Sequence, residues 1–143
     1  MIKIYTDGSC PGNPGHGGWG YVLDYKGYRK VGGDHEFDTT NNRMELTAVI
    51  EALKAIHDKS IPTVVYSDSN YVVKSYDRLE HWKKSGWQTS SKDPVANQDL
   101  WQMLDALASQ FKSLRLHWIR GHNGNKWNEF ANDIAQTAAN YKA

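Results

Sequence analysis

"TVVYSDSN", residues 63–70, decides the fold. Its first half, Thr63-Val64-Val65-Tyr66, is the short apolar run of a buried strand. Its second half offers Ser and Asp where a helix N-cap would stand. Towards the N-terminus, Pro62 precedes it, and residues 42–57 place Val49, Ala52, Leu53 and Ile56 at helical spacing. Further back, residues 2–6 read as a strand entering the turn-rich stretch 7–15. Residues 18–24 and 28–37 read as two more strands, joined near Lys26-Gly27 as a hairpin would be. Towards the C-terminus the pattern predicts helices over 70–84 and 97–110, a strand over 114–119 and a helix over 126–141. Three antiparallel strands followed by alternating helices and strands predict an α/β fold, a mixed sheet flanked by helices.

The chain has 143 residues, room for one compact domain over 1–143. Cys10 is the sole cysteine, which excludes a disulfide framework and suits a reducing, cytoplasmic setting. No apolar run approaches the roughly 20 residues of a membrane span, and the strand-like N-terminus does not read as a signal peptide. A formal charge of +1 neither demands nor excludes a polyanionic partner. The charge is uneven, however: Lys74, Arg78, Lys83, Lys84 and Lys92 gather against Asp77 and Glu80, with Trp82 and Trp87 interleaved.

Three acids fall where elements begin or end. Asp7 ends the first strand in the Tyr5-Asp7 register, facing away from Ile2 and Ile4; an Asp-Gly turn would account for it equally. Glu45 lies on the same helical stripe as Val49, Ala52, Leu53 and Ile56, a costly place for a carboxylate. A capping box with Asn42 as N-cap is the structural alternative. Asp68 follows the buried strand, where it could also cap a helix. Together they can converge in a crevice at strand ends. Carboxylates converging without His or Cys suit Mg²⁺ or Mn²⁺ rather than zinc, and so phosphoryl chemistry.

Taken in order, "YTDGSCPGNPGHGGWG", "TTNNRMELTAVIEAL", "VVYSDSNYV", "HWKKSGW", "DLWQMLDAL" and "WIRGHNGNKWNEFANDIA" give the chain a close resemblance to the type 1 ribonucleases H along essentially its whole length. The resemblance implies the ribonuclease H-like fold, a five-stranded mixed sheet flanked by helices. It implies cleavage of the RNA strand of an RNA/DNA hybrid, dependent on Mg²⁺ and leaving 3′-hydroxyl and 5′-phosphate ends. Two divalent ions about 3.5–4 Å apart can activate water on one side of a phosphodiester and stabilise the departing oxygen on the other. Asp7, Glu45 and Asp68 match three of the family's four metal-site acids, and His122 its mobile-loop histidine. By the same resemblance Gly8, Asn13, Asn41 and Asn70 line a minor-groove track that reads 2′-hydroxyls, while Thr40 and Arg43 belong to a pocket for a DNA-strand phosphate. Trp82, Lys83 and Lys84 fall in a basic protrusion that grips the DNA strand. The structural alternatives are turn and cap chemistry for the asparagines, a solvated loop for His122, a solvated basic helix for the protrusion, and a place in the core for either Trp82 or Trp87.

The fourth metal-site position carries Asn132, the one departure from the family pattern. Asp133 is no substitute: it groups with Glu129, Gln136, Thr137 and Asn140 on a polar face, about 100° of helix rotation away. The amide keeps an oxygen at similar reach but loses a charge. Unit charges 4 Å apart at an effective dielectric of 20 interact by about 4 kcal/mol, and each 1.4 kcal/mol is roughly tenfold. The expectation is weaker binding of one ion and a higher ion requirement, with Mn²⁺ substituting or preferred. The alternative is a hybrid-binding module, impaired or inactive in cutting, whether Asn132 is natural or engineered. Distant relatives with this fold, the integrase, transposase and reverse-transcriptase nuclease domains, are disfavoured by the hybrid-reading asparagines and the protrusion. No membrane and no obligate protein partner are expected, and the chain reads as a monomer.

Overall fold

The computed structural model describes residues 1–121 and 124–141. Five strands, β1 (Ile2–Ser9), β2 (Gly15–Tyr25), β3 (Tyr28–Thr39), β4 (Thr63–Ser67) and β5 (Leu114–Trp118), form one sheet in the order β3-β2-β1-β4-β5. β1, β2 and β3 pair antiparallel, whereas β4 runs parallel to both β1 and β5. The mixed sheet with an antiparallel opening is therefore as expected. The helices are α1 (Asn41–Lys54), α2 (Asn70–Tyr76), α3 (Leu79–Lys84), α4 (Gln98–Ala108) and α5 (Lys126–Ala139). Among the described residues no helix is long and apolar enough to cross a membrane.

The strand alternation of β1 divides the interior. Ile2 and Ile4 turn to the face covered by α1, joining Leu46, Val49, Ile50, Leu53, Val65 and the buried Trp101. Tyr5 turns to the opposite face, with Val22 and Ala131 of α5. α5 can lie close on that face because β2 carries glycines: a Cβ at Gly18 would run into the backbone at Ala135 and Ala139, and one at Gly20 into Ile134 and the Ala131 carbonyl. Close approach, not backbone freedom, explains these glycines.

Three expectations change. The stretch predicted as turn from Asp7 onwards is strand as far as Ser9, because Asp7, Gly8 and Ser9 pair with Gly20, Trp19 and Gly18. Asp7 is therefore not an Asp-Gly turn. The helix expected over 70–84 is broken at Asp77-Arg78, where the Arg78 N–H reaches back three residues to the Ser75 carbonyl at 2.9 Å. Side-chain phase survives the break, so Val72, Ser75, Leu79 and Trp82 all face inward. Finally, α1 is capped by Thr40, whose hydroxyl accepts from the Arg43 N–H at 3.2 Å. With the cap at Thr40, the predicted Asn42–Glu45 capping box does not form, and Glu45 sits a full turn inside the helix.

Candidate metal and nucleic-acid site

Parallel pairing of β1 with β4 sets two carboxylates level. Tyr5 pairs with Tyr66, and two residues further along each chain come Asp7 and Asp68. This is the crevice at the carboxyl ends of adjacent strands, where the sheet changes from antiparallel to parallel neighbours. Glu45 arrives from α1, whose N-terminal half rests directly on β1 at Gly8. A Cβ at Gly8 would meet the backbone of Met44 and Glu45, so only a glycine lets the helix come this near. Ligand oxygens of Asp7, Glu45 and Asp68 all lie within 4.8 Å of one another.

Two of these acids are almost completely buried, Asp7 at 4% and Glu45 at 6% exposure. Burial, followed by the charges of Asp7 and Asp68, pushes the Glu45 carboxyl well above the usual carboxylate range. Glu45 Oε1 is buried without a hydrogen-bond partner among the described residues. Such an oxygen, on a carboxylate clustered with two others, fits a hard divalent cation, whose charge would satisfy all three groups at once. Ser69 rather than Asp68 caps α2, accepting from the Val72 N–H at 3.2 Å. The capping alternative for Asp68 therefore falls away.

Asn132 comes to the same place from α5. Its Nδ2 donates to Asp7 Oδ2 at 2.6 Å. Asp133, next along the helix, is exposed on the other side, as the helical phase requires. His122 lies outside the described residues.

The expected substrate residues are arranged unevenly. Asn13, Asn41 and the strand end at Cys10 are joined: the Asn41 N–H donates to Asn13 Oδ1 at 3.0 Å, and the Cys10 N–H donates to Asn41 Oδ1 at 3.3 Å. The Gly8 N–H donates to Asp7 Oδ1 at 2.9 Å, and the exposed Asn70 begins α2 just beyond Asp68. Thr40 spends its hydroxyl on the α1 cap. Arg43 is held bidentately by Asp99 at 3.0 and 2.8 Å, which raises the guanidinium pKa and lowers that of the Asp99 carboxyl.

The basic segment needs one correction. Trp82 is 9% exposed, in edge contact with Trp101 at 5.5 Å between ring centroids, and belongs to the core. It cannot present its face to a nucleic acid, because the inward phase shared with Leu79 buries it. Trp87, half-buried at a positive φ of 64°, is the aromatic at the surface of this segment. Lys83 is exposed but lies 3.2 Å from Glu80 and 3.4 Å from Asp105, whereas Lys84 is simply exposed. Two residues were missed by sequence reasoning. Gly121 packs its Cα against the Asp68 carboxylate, and Trp118 donates its indole N–H to the Asp68 carbonyl. Neither has a local sequence signal, since both contacts span about fifty residues.

The profile described as RNase H matches residues 1–140. The ribonuclease H of Polynucleobacter asymbioticus is 53% identical over 135 residues, covering 94% of this chain and 86% of the relative. That of Syntrophomonas wolfei is 49% identical over 139 residues, covering 96% and 94%. Among solved structures, LC9-RNase H1, described as a type 1 RNase H with the type 2 active-site motif, superposes with a TM-score of 0.83 at 36% identity, covering 96% of this chain and 71% of that one. RNase H1 from Halobacterium salinarum gives 0.72 at 28% identity, covering 96% of each.

Proposed function

This chain belongs to the ribonuclease H family, and from that premise we propose that it cuts the RNA strand of RNA/DNA hybrids at an Asp-Glu-Asp-Asn site. It is a metal-dependent nuclease. The observation that carries the reading is the convergence of Asp7, Glu45 and Asp68 within 4.8 Å, two of them buried, with an unpartnered Glu45 oxygen among them.

Asp7, Glu45 and Asp68 would hold Mg²⁺ or Mn²⁺, with Asn132 contributing at the fourth position. Held there, such ions would supply Lewis-acid activation of water and stabilisation of the departing oxygen, the chemistry that would leave 3′-hydroxyl and 5′-phosphate ends. Asn132 would offer its amide oxygen Oδ1, while its Nδ2 donates to Asp7. His122 would serve proton transfer or product release beside them.

Hybrid selection falls to Gly8, Asn13, Asn41 and Asn70. The amide oxygens of Asn13 and Asn41 already accept backbone N–H groups, so the group each turns towards a 2′-hydroxyl is its NH₂ donor. Thr40 and Arg43 would meet a DNA phosphate, with Arg43 sharing its charge between that phosphate and Asp99. Lys84 and Trp87, with Lys83 partly neutralised, form the outer grip. We further take the chain as one domain over 1–143, acting as a cytoplasmic monomer.

A second reading is favoured by the Asn132–Asp7 bond, which engages an oxygen of one of the three acids: a module that binds hybrids without cutting. Cleavage of an end-labelled hybrid in Mg²⁺ and in Mn²⁺, beside Glu45→Gln, separates the two. Cutting that vanishes in the variant supports the nuclease; intact hybrid in both ions, with binding retained, supports the recognition module.

A further inference from the structure

We propose that Trp118 is a positioning residue for Asp68: it fixes the peptide from which that carboxylate reaches the cation, and so sets the affinity of the protein for the ion. The inference rests on the reading of Asp7, Glu45 and Asp68 as the cation site.

Trp118 is the last residue of β5 and pairs with Ser67, the last residue of β4. Its side chain is not held by burial, since the residue is 43% exposed. What orients it is polar: the indole Nε1–H donates to the Asp68 carbonyl oxygen at 3.1 Å, across 50 residues of sequence. The peptide on the other side of Asp68 is held too. There the Ile119 N–H donates to the Ser67 carbonyl at 2.9 Å, while the Ser69 N–H, in the same peptide as the Asp68 carbonyl, donates to Ser67 Oγ at 3.0 Å. Gly121 completes the clamp, because a Cβ there would stand 2.5 Å from Asp68 Oδ2. Thus a short stretch of chain, Trp118 to Gly121, touches the Asp68 residue at both its main chain and its carboxylate.

Asp68 sits just past the end of β4, where the ladder no longer fixes the backbone. Rotation of the Asp68–Ser69 peptide would swing the carboxylate relative to Asp7 and Glu45, which are fixed inside a strand and a helix. Indole is a donor only, so its contribution at this position is to hold one carbonyl in one direction. Phenylalanine keeps most of the ring and loses that donor.

The test uses Trp118→Phe. Mn²⁺ binding to the hybrid-free protein, followed by electron paramagnetic resonance, should weaken about three- to tenfold, the scale of one net hydrogen bond. The Mg²⁺ concentration for half-maximal cleavage should rise by a similar factor while kcat at saturating Mg²⁺ and hybrid affinity in chelator stay near the parent values. Parental Mn²⁺ affinity in the variant would overturn the proposal, as would loss of hybrid affinity in chelator with Mn²⁺ binding intact, which would make the ring a substrate contact. Parent protein that binds Mn²⁺ but leaves the hybrid whole sinks the nuclease reading and not this one; parent protein that binds no Mn²⁺ overturns both.

Discussion

Asn132 on α5 donates an amide hydrogen to Asp7 on β1 at 2.6 Å, joining residues 125 positions apart beside the Glu45 and Asp68 carboxylates. This contact does what a fourth carboxylate could not. It places a donor, rather than another negative charge, against a buried acid.

Asn132→Asp should therefore act in opposite directions on stability and function. With chelator, the added carboxylate repels Asp7 and lowers Tm. With Mg²⁺, cleavage should rise about 10- to 1000-fold, from the charge regained beside the ions at an effective dielectric near 20. Hybrid affinity in chelator should change little. A cleavage gain below about threefold, well under the single decade that 1.4 kcal/mol represents, would mean the site already compensates for the amide.

Glu45 gives a pH-dependent stability signature. Its folded-state pKa is raised above the ordinary 4.5, first by burial and then by Asp7 and Asp68. The stabilising contribution is complete below that ordinary value and is lost as pH rises through the raised pKa. In chelator, Glu45→Gln should melt higher than the parent at neutral pH, and the advantage should vanish as pH falls below 4.5. Added Mg²⁺ should raise the Tm of the parent but not of the variant. Thermal melts across pH with and without Mg²⁺ measure both effects, and a variant less stable than the parent in chelator at pH 7 would refute the account.

Trp82 is a core residue, so its loss should appear in folding rather than in binding. Trp82→Ala should cost about 3–5 kcal/mol in denaturant unfolding. Trp82→Phe should bind hybrid like the parent, whereas Trp87→Ala should weaken binding. The reverse ranking in a hybrid-binding titration would return Trp82 to the surface role.

Asp99 pairs bidentately with the Arg43 guanidinium that would meet a phosphate. Asp99→Asn should tighten hybrid binding and steepen the slope of log K against log salt by up to about 0.9, one additional phosphate contact. An unchanged slope would show that Arg43 does not meet a phosphate.

Much of this was legible in the chain. The apolar run of residues 63–66 and the helical spacing in 42–57 report burial directly, so the elements and the buried place of Glu45 could be read from one segment at a time. The phase argument also put Asp133 outside and Asn132 inside without knowledge of any contact. What escaped was information held between segments. The Thr40 cap won over Asn42 because the chain leaves β3 at Thr39, a boundary that periodicity does not mark. Trp82 stood open between the surface and the core, with the neighbouring lysines tilting it outward, because its partner Trp101 is nineteen positions away and decides its burial. Trp118 and Gly121 act on Asp68 through tertiary contact alone.

The glycines of β2 give the distance between sheet and helix a chemical meaning. Asp7 belongs to the sheet and Asn132 to the helix that rests on Gly18 and Gly20, so the gap between the two functional groups is set by how thin the sheet is at its second strand. A single methyl group there would act as a shim, lifting α5 and drawing the amide away from the carboxylate. The protein in effect measures its cation site with hydrogen atoms, and a steric change at one edge of the sheet would be read as a change in ion affinity at the other side of the neighbouring strand.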